Sequence, residues 1–248
     1  MSDGHSVLLR PLPYKGVLIA QVSQQDGLPR VLVNGDEFER IQFLLFFHNT
    51  KIRNNTYIGS MKKAFIFLAE GFEDVEALAT ADVLRRGGVP TQLVSISDEP
   101  FVTSSHHVTV GADTTLDAGI EIDDDDVIIF PGGMPGTRNL AACGPLMDFM
   151  KEHYAQGGPV AAICAAPGLV FGQIDNLKGV EFTCFDGFEE GPVSKGATFR
   201  PAAAVVSGNM ITGRSAGHAV EFALEILKYL KGSDEAARVE YAMNLNCI

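Results

Sequence analysis

The sequence predicts an α/β fold: a doubly wound, mostly parallel sheet sandwiched by helices. Three observations predict it. From Met61 onward, short apolar runs alternate with segments of helical periodicity. The runs at 127–130 and 160–163 are wholly apolar, as buried strands are. Glycine and proline turns, such as Gly87-Gly88 and Pro131-Gly132-Gly133, separate the segments.

Taken in order, residues 63–68 read as the first strand and residues 74–86 as a helix that the Gly87-Gly88 pair closes. A second strand follows at 91–95, and residues 102–110 suggest a strand or a hairpin around Ser104-Ser105. Residues 127–130 form a buried strand, 145–156 a helix, 159–163 the next strand, and 167–172 a short helix. Residues 180–184 read as another strand, and 203–206 with 210–212 as a hairpin through Ser207-Gly208-Asn209. Residues 216–230 form an amphipathic helix with Ala219, Ala223, Ile226, Leu227 and Leu230 on one face, and Ser233 caps a last helix.

Residues 1–60 have a different texture. β-like runs at 16–22, 30–33 and 41–47 alternate with turn signals such as Asp26-Gly27. Two readings stand: a small β-rich appendage, or a loosely ordered extension ahead of a domain spanning 61–248, with Met61 resembling a natural start. The charge divides at the same place: residues 1–60 carry six basic and five acidic side chains, and the remainder 13 basic and 26 acidic.

The net charge of -12 argues against nucleic acid or an anionic membrane as a partner. No apolar run approaches the ~18 residues of a membrane span, and no basic segment followed by an apolar one marks a secretory signal. Four cysteines without CxxC or zinc-ligand spacing exclude a disulfide scaffold and give no metal site. A reducing, cytoplasmic compartment is the expectation.

The chemistry centres on Cys164. The run Val160-Ala161-Ala162-Ile163 ends at this thiol, and Ala165-Ala166-Pro167-Gly168 turns into a helix. A thiol at a strand-to-helix corner feels the positive end of the peptide dipoles, which favours the nucleophilic thiolate. Such an elbow is tight and strained, and only small neighbours fit around it. An inert core thiol is the alternative; the small-residue context argues against it.

Two further turns fall beyond carboxyl ends of strands, where doubly wound folds collect ligands. The first, 69–76, carries Glu73, Asp74 and Glu76. Glu73 and Asp74 fit the first turn of a helix, where carboxylates complement the dipole. Glu76 lies between apolar Val75 and Ala77 and faces inward on this reading; desolvation beside a thiolate would keep it protonated as a proton shuttle. The second turn, Pro131-Gly132-Gly133, presents bare amides that, with that of Ala165, suit a developing oxyanion.

The segments 69–76, 127–133, 161–167 and 211–217 occur in an order and spacing that resembles the ThiJ/PfpI superfamily, and within it the branch of the Parkinson disease protein deglycase and its bacterial relatives. The resemblance covers residues 61 to about 245. It implies a flavodoxin-like sandwich, a homodimer, an oxidation-prone nucleophile matching Cys164, a protonated glutamate matching Glu76, and oxyanion amides matching Gly133 and Ala165. It implies cofactor-free conversion of methylglyoxal to lactate, deglycation of amines and thiols, and redox-sensor or chaperone roles. Protease-like members carry histidine after the nucleophile; Ala165 stands there, so proteolysis is not expected. The branch often places a histidine where this chain has Phe185, which cannot transfer protons. Candidate substitute bases are His106, His107 and His218, each weighed against an ordinary surface or helix-start histidine; His106, which stands where relatives carry arginine, is favoured for reaching the pocket. Arg214, in the loop near His218, joins His106 and Phe185 as a pocket residue.

Overall fold

The chain divides into two units, Met1–Ser60 and Met61–Ile248. The computed structural model describes residues 21–25, 28–32 and 62–245. In the first unit, β1 (Gln21–Gln25) and β2 (Leu28–Leu32) pair antiparallel, with Gln25 opposite Leu28. The run 41–47 lies outside the described residues.

The second unit begins with β3 (Ala64–Leu68), α1 (Asp74–Arg86) and β4 (Thr91–Ser95). The antiparallel hairpin of β5 (Phe101–Thr103) and β6 (Thr109–Gly111) follows, then β7 (Thr114–Thr115) and β8 (Val127–Phe130). Next come α2 (Gly136–Ala142), α3 (Gly144–Ala155), β9 (Val160–Ile163) and α4 (Ala166–Leu169). The chain continues through β10 (Glu181–Phe182), α5 (Glu190–Ser194), β11 (Thr198–Phe199), β12 (Ala204–Ser207) and β13 (Met210–Gly213). It closes with α6 (Ala219–Lys231) and α7 (Ser233–Ala242).

The main sheet has the order β12-β13-β9-β8-β3-β4-β7. Every pairing in it is parallel except β12 with β13. The strand faces alternate between two cores. Ala64, Ile66 and Leu68 of β3 point into a layer built with α1, α6 and α7, around Leu84, Phe222 and Ile226. Phe65 and Phe67 point the other way, toward α3 and α4, around Phe130, Met150 and Phe171. With both faces covered, β3, β8 and β9 tolerate no polar residue, which is why they read as unbroken apolar runs. This is the expected flavodoxin-like α/β sandwich.

Two local readings need correction, and two short helices add to the sequence reading. The strand expected at 180–184 is only two residues long and pairs with β11 in a small parallel ladder outside the main sheet. The short helices α2 and α5, of seven and five residues, have too little periodicity to be read from sequence. Ser233 does not cap the last helix: Gly232 occupies that position, and no side chain caps it. No helix among the described residues is long and apolar enough to cross a membrane.

Candidate active site

The carboxyl ends of β3, β8, β9 and β13 release four consecutive loops at one edge of the sheet, and Cys164 sits among them. It follows the last residue of β9 with φ +64°. That left-handed conformation costs a non-glycine residue roughly 1–2 kcal/mol. Backbone hydrogen bonds on both sides hold it. The Cys164 amide donates to the Gly213 carbonyl at 3.0 Å, and the Phe185 amide donates to the Cys164 carbonyl at 2.8 Å. The thiol side is partly accessible, whereas Ala165 and Ala166 are buried and leave no room for larger side chains.

Glu76 enters from the first turn of α1. That helix buries Glu76, Thr80, Ala81, Val83 and Leu84, so the inward face includes the carboxylate because of where the helix starts. Glu73 sets the start: its Oε2 accepts from the Glu76 amide at 2.7 Å as the N-cap. Asp74 is the first helical residue. Glu76 is 1% exposed. Its Oε2 accepts from the Gly132 amide at 2.7 Å, while Oε1 is buried with no hydrogen-bond partner among the described residues.

Gly132 lies between the carboxyl and the thiol. A Cβ built on it would fall 2.6 Å from both Glu76 Oε2 and Cys164 Cβ, and 3.1 Å from Cys164 Sγ. Gly133 is equally constrained: its φ is +90°, and an added Cβ would meet the Glu73 amide nitrogen at 2.4 Å. The double glycine of the 131–133 turn is therefore required by crowding against the site itself.

Burial first, then the charge of Glu73, pushes the Glu76 carboxyl up to about 7, against the opposing effects of Cys164 and of the Gly132 and Ala216 amides. Burial first, then the Glu76 charge, pushes the Cys164 thiol up to about 12, while the amides of Ala165 and Gly133 favour its ionised form. The raised Glu76 carboxyl has the expected direction, whereas the raised Cys164 thiol runs against the expected standing thiolate. Helix α4 has only four residues, too short a dipole to outweigh burial. The two groups are buried together and each acts on the other's proton, which couples their ionisation.

The remaining pocket candidates are spread around this pair. His106 lies on the exposed β5–β6 turn, its Nδ1 3.1 Å from Asp74 Oδ1 and 3.8 Å from Glu73 Oε1. The Ser104 hydroxyl, foremost, and His106 hold Asp74 below the usual carboxylate range. Glu73, Asp74 and His106 bring three potential metal-ligand atoms within 4.8 Å of one another. The positive end of α1 and the capping duty of Glu73 oppose a cation there. His218 is turned to Ser215, with Nδ1 and Oγ 3.2 Å apart. Phe185 is half exposed beside the Cys164 carbonyl and packs edge-on against Phe188. Cys184, next to it, is fully buried, and burial first pushes its thiol up to about 12. Arg214 pairs with Asp186 through Nη2 and lies over the Phe199 ring at 5.5 Å.

Sequence reasoning did not anticipate Gly132 as the hydrogen-bond donor to Glu76, nor Asp186 as the partner of Arg214. The glycine pair was a visible signal for the first; nothing local marks the second, a contact across 28 residues.

A family model described as "DJ-1/PfpI family" matches residues 62–229. "Protein DJ-1 homolog B" of Arabidopsis thaliana is 36% identical over 186 residues, covering 74% of this chain and 42% of that protein. The "Glutathione-independent glyoxalase DJR-1.2" of Caenorhabditis elegans is 33% identical over 181 residues, covering 72% of this chain and 94% of that protein. The chain thus spans under half the length of the plant relative and nearly all of the nematode one. The crystal structure of Drosophila melanogaster DJ-1beta superposes with a TM-score of 0.68 at 30% identity, covering 74% of this chain and 98% of that one.

Proposed function

The chain belongs to the DJ-1/PfpI family, and we propose that it is a cysteine-dependent enzyme that works without a cofactor on methylglyoxal or on glycated amines and thiols. The observation that carries this reading is the Cys164–Glu76 pair, a thiol and a buried carboxyl packed on either side of Gly132, with the amides of Gly133 and Ala165 favouring the ionised sulfur. The glyoxalase name of the nematode relative supports the substrate class.

On methylglyoxal, the Cys164 proton passes to Glu76 as sulfur attacks the aldehyde carbon. A C–S bond forms, and the carbonyl π pair moves onto oxygen, which the Gly133 and Ala165 amides stabilise until it is protonated. Removal of the proton on the former aldehyde carbon gives an enediol. Reprotonation at the neighbouring carbon gives a lactoyl thioester: one carbon is oxidised, its neighbour reduced, and no external electron carrier is needed. Water then cleaves the thioester, releasing lactate and restoring the thiol. Glu76 is placed to carry the protons. A glycated amine or thiol would enter at the same carbon and leave as the free nucleophile.

The test is an assay of lactate formed from methylglyoxal, run for the wild type, Cys164→Ser and Glu76→Gln. Loss of turnover in both variants supports the reading; wild-type turnover in either removes it.

A second reading uses the same atoms. The unpartnered Glu76 Oε1, once protonated, is a donor for an oxidised sulfur. One equivalent of hydrogen peroxide would convert the thiol to sulfenic acid with loss of water, and a second would give sulfinic acid, making Cys164 an oxidative-stress sensor or the switch of a redox-regulated chaperone. Mass spectrometry after mild peroxide treatment tests it; oxidation of other thiols while Cys164 stays unmodified contradicts it. Either role is compatible with the homodimer and cytoplasmic setting proposed from the family resemblance.

A further inference from the structure

Only two buried side-chain polar atoms lack a hydrogen-bond partner among the described residues: Glu76 Oε1, already placed in the site, and Arg214 Nη1. An unpaired, desolvated guanidinium nitrogen is costly, and its retention calls for an explanation. The rest of the residue ties it to the Cys164 elbow. Arg214 follows Gly213, whose carbonyl accepts from the Cys164 amide. Its own amide donates to the Ala203 carbonyl at 2.9 Å, which fixes its backbone. Its guanidinium lies over Phe199 and pairs with Asp186, and Asp186 follows Phe185, whose amide donates to the Cys164 carbonyl. Cys164, Phe185, Asp186, Arg214 and Gly213 thus form a closed ring of peptide links, two backbone hydrogen bonds and one ion pair.

We propose that Arg214 is a positioning residue: its ion pair with Asp186 clamps the Phe185 turn onto the Cys164 carbonyl and so holds the left-handed Cys164 conformation that aims the sulfur. Without the clamp, the 185–186 turn keeps one backbone bond to Cys164 and loses its charged anchor. The Phe185 bond to the Cys164 carbonyl is then weakened, which lets Cys164 relax toward an ordinary backbone conformation and carries Sγ away from the Gly133 and Ala165 amides. The guanidinium is mostly buried and Asp186 is mostly exposed, so Asp186 is held by Arg214 rather than the reverse. Glu189, the other charge beside this turn, accepts from the Gly187 amide and does not compete for Arg214.

The clamp rests on the proposed reactivity of Cys164 but is separately testable. The rate of Cys164 alkylation by iodoacetamide is measured across neutral pH for the wild type, Arg214→Met, Asp186→Asn, their double variant and Arg214→Lys. Hydrogen exchange of the Phe185 amide is measured in parallel. The clamp predicts that Met and Asn each slow alkylation by about tenfold, with the double variant no slower than the worse single, because both remove one charge-assisted contact. Lys, which keeps a charged donor, recovers most of the rate. The Phe185 amide exchanges about tenfold faster in both single variants, while amides of β9 stay as protected as in the wild type. A merely destabilised fold would instead expose β9 as well. If Arg214 acted only by its charge, the Met and Asn variants would shift alkylation in opposite directions, and that result overturns the clamp. Unchanged Phe185 exchange in both variants overturns it whatever the reactivity of Cys164. Slow wild-type alkylation with accelerated Phe185 exchange in the variants keeps the clamp and removes the reading of Cys164 as a reactive thiol.

Discussion

The Gly132 amide donates to Glu76 Oε2 at 2.7 Å, and the α-carbon of the same glycine leaves no space for a methyl group between that oxygen and Cys164 Cβ, each 2.6 Å from where it would sit. One residue therefore both binds the carboxyl and sets its distance from the thiol. Gly132→Ala is expected to cost roughly 1–3 kcal/mol of stability through overpacking. Its lactate formation should fall by at least about tenfold, because even a small misplacement of reacting groups is felt. Chemical denaturation and the methylglyoxal assay check the two outcomes; an active, fully stable Ala variant would show that the gap is not needed.

Glu76 also predicts a pH dependence of stability. Its folded value of about 7 lies above the ordinary 4.5, so between those values the native state holds a proton that the unfolded chain has released. Stability contributed by this group is complete below about 4.5 and declines as pH rises through about 7. The loss is of the order of 3 kcal/mol for a shift of this size. Glu76→Gln, neutral at every pH, should be more stable than the wild type at pH 8 and lose that advantage near pH 5. Denaturation midpoints measured at the two pH values decide it.

The conformation of Cys164 predicts a difference between two inactive variants. At φ +64°, Cys164→Ala keeps the strain of a left-handed Cβ residue, and Cys164→Gly removes it. After the entropy that glycine gains in the unfolded chain, Cys164→Gly should be the more stable by about 1 kcal/mol. Equal thermal midpoints would mean that the backbone there is unstrained.

Phe185 gives the fourth prediction. Its amide is bonded to the Cys164 carbonyl and its ring is half exposed, so a titratable side chain can be introduced beside the Cys164 elbow without disturbing the core. Phe185→His is expected to raise kcat for methylglyoxal by about tenfold or more, since a positioned base contributes on that scale. Unchanged kcat would show that proton transfer is already supplied from elsewhere in the site, with His106 and its Asp74 partner the first residues to substitute.

Much of this was legible in the sequence because the strongest constraints are local. Helix Asp74–Arg86 and strands Thr91–Ser95 and Val127–Phe130 follow directly from periodicity, apolar runs and the glycines that end them. Cys164 and Glu76 were readable because small residues and an apolar setting are unusual around a thiol and a carboxyl. Illegible were features that depend on contacts between distant segments. The 180–184 run has strand-like residues, yet it joins no strand of the main sheet, whose edge on that side is β12; only Glu181–Phe182 pairs, with β11. The surroundings of the Cys164 thiol are illegible for the same reason: the dipole of a following helix is visible in sequence, whereas the burial and the carboxylate charge that oppose it arise only when α1 packs under the 131–133 turn.

The central claim is that Cys164 and Glu76 ionise as a coupled pair. Its most direct test is the rate of Cys164 alkylation against pH, followed by mass spectrometry in the wild type and in Glu76→Gln. The rate should change through an inflection near 7 in the wild type, whereas the Gln variant, which removes the group that titrates there, should lose that inflection. A wild-type profile that rises only in the range of an ordinary thiol, or a Gln variant with the wild-type profile, would contradict it.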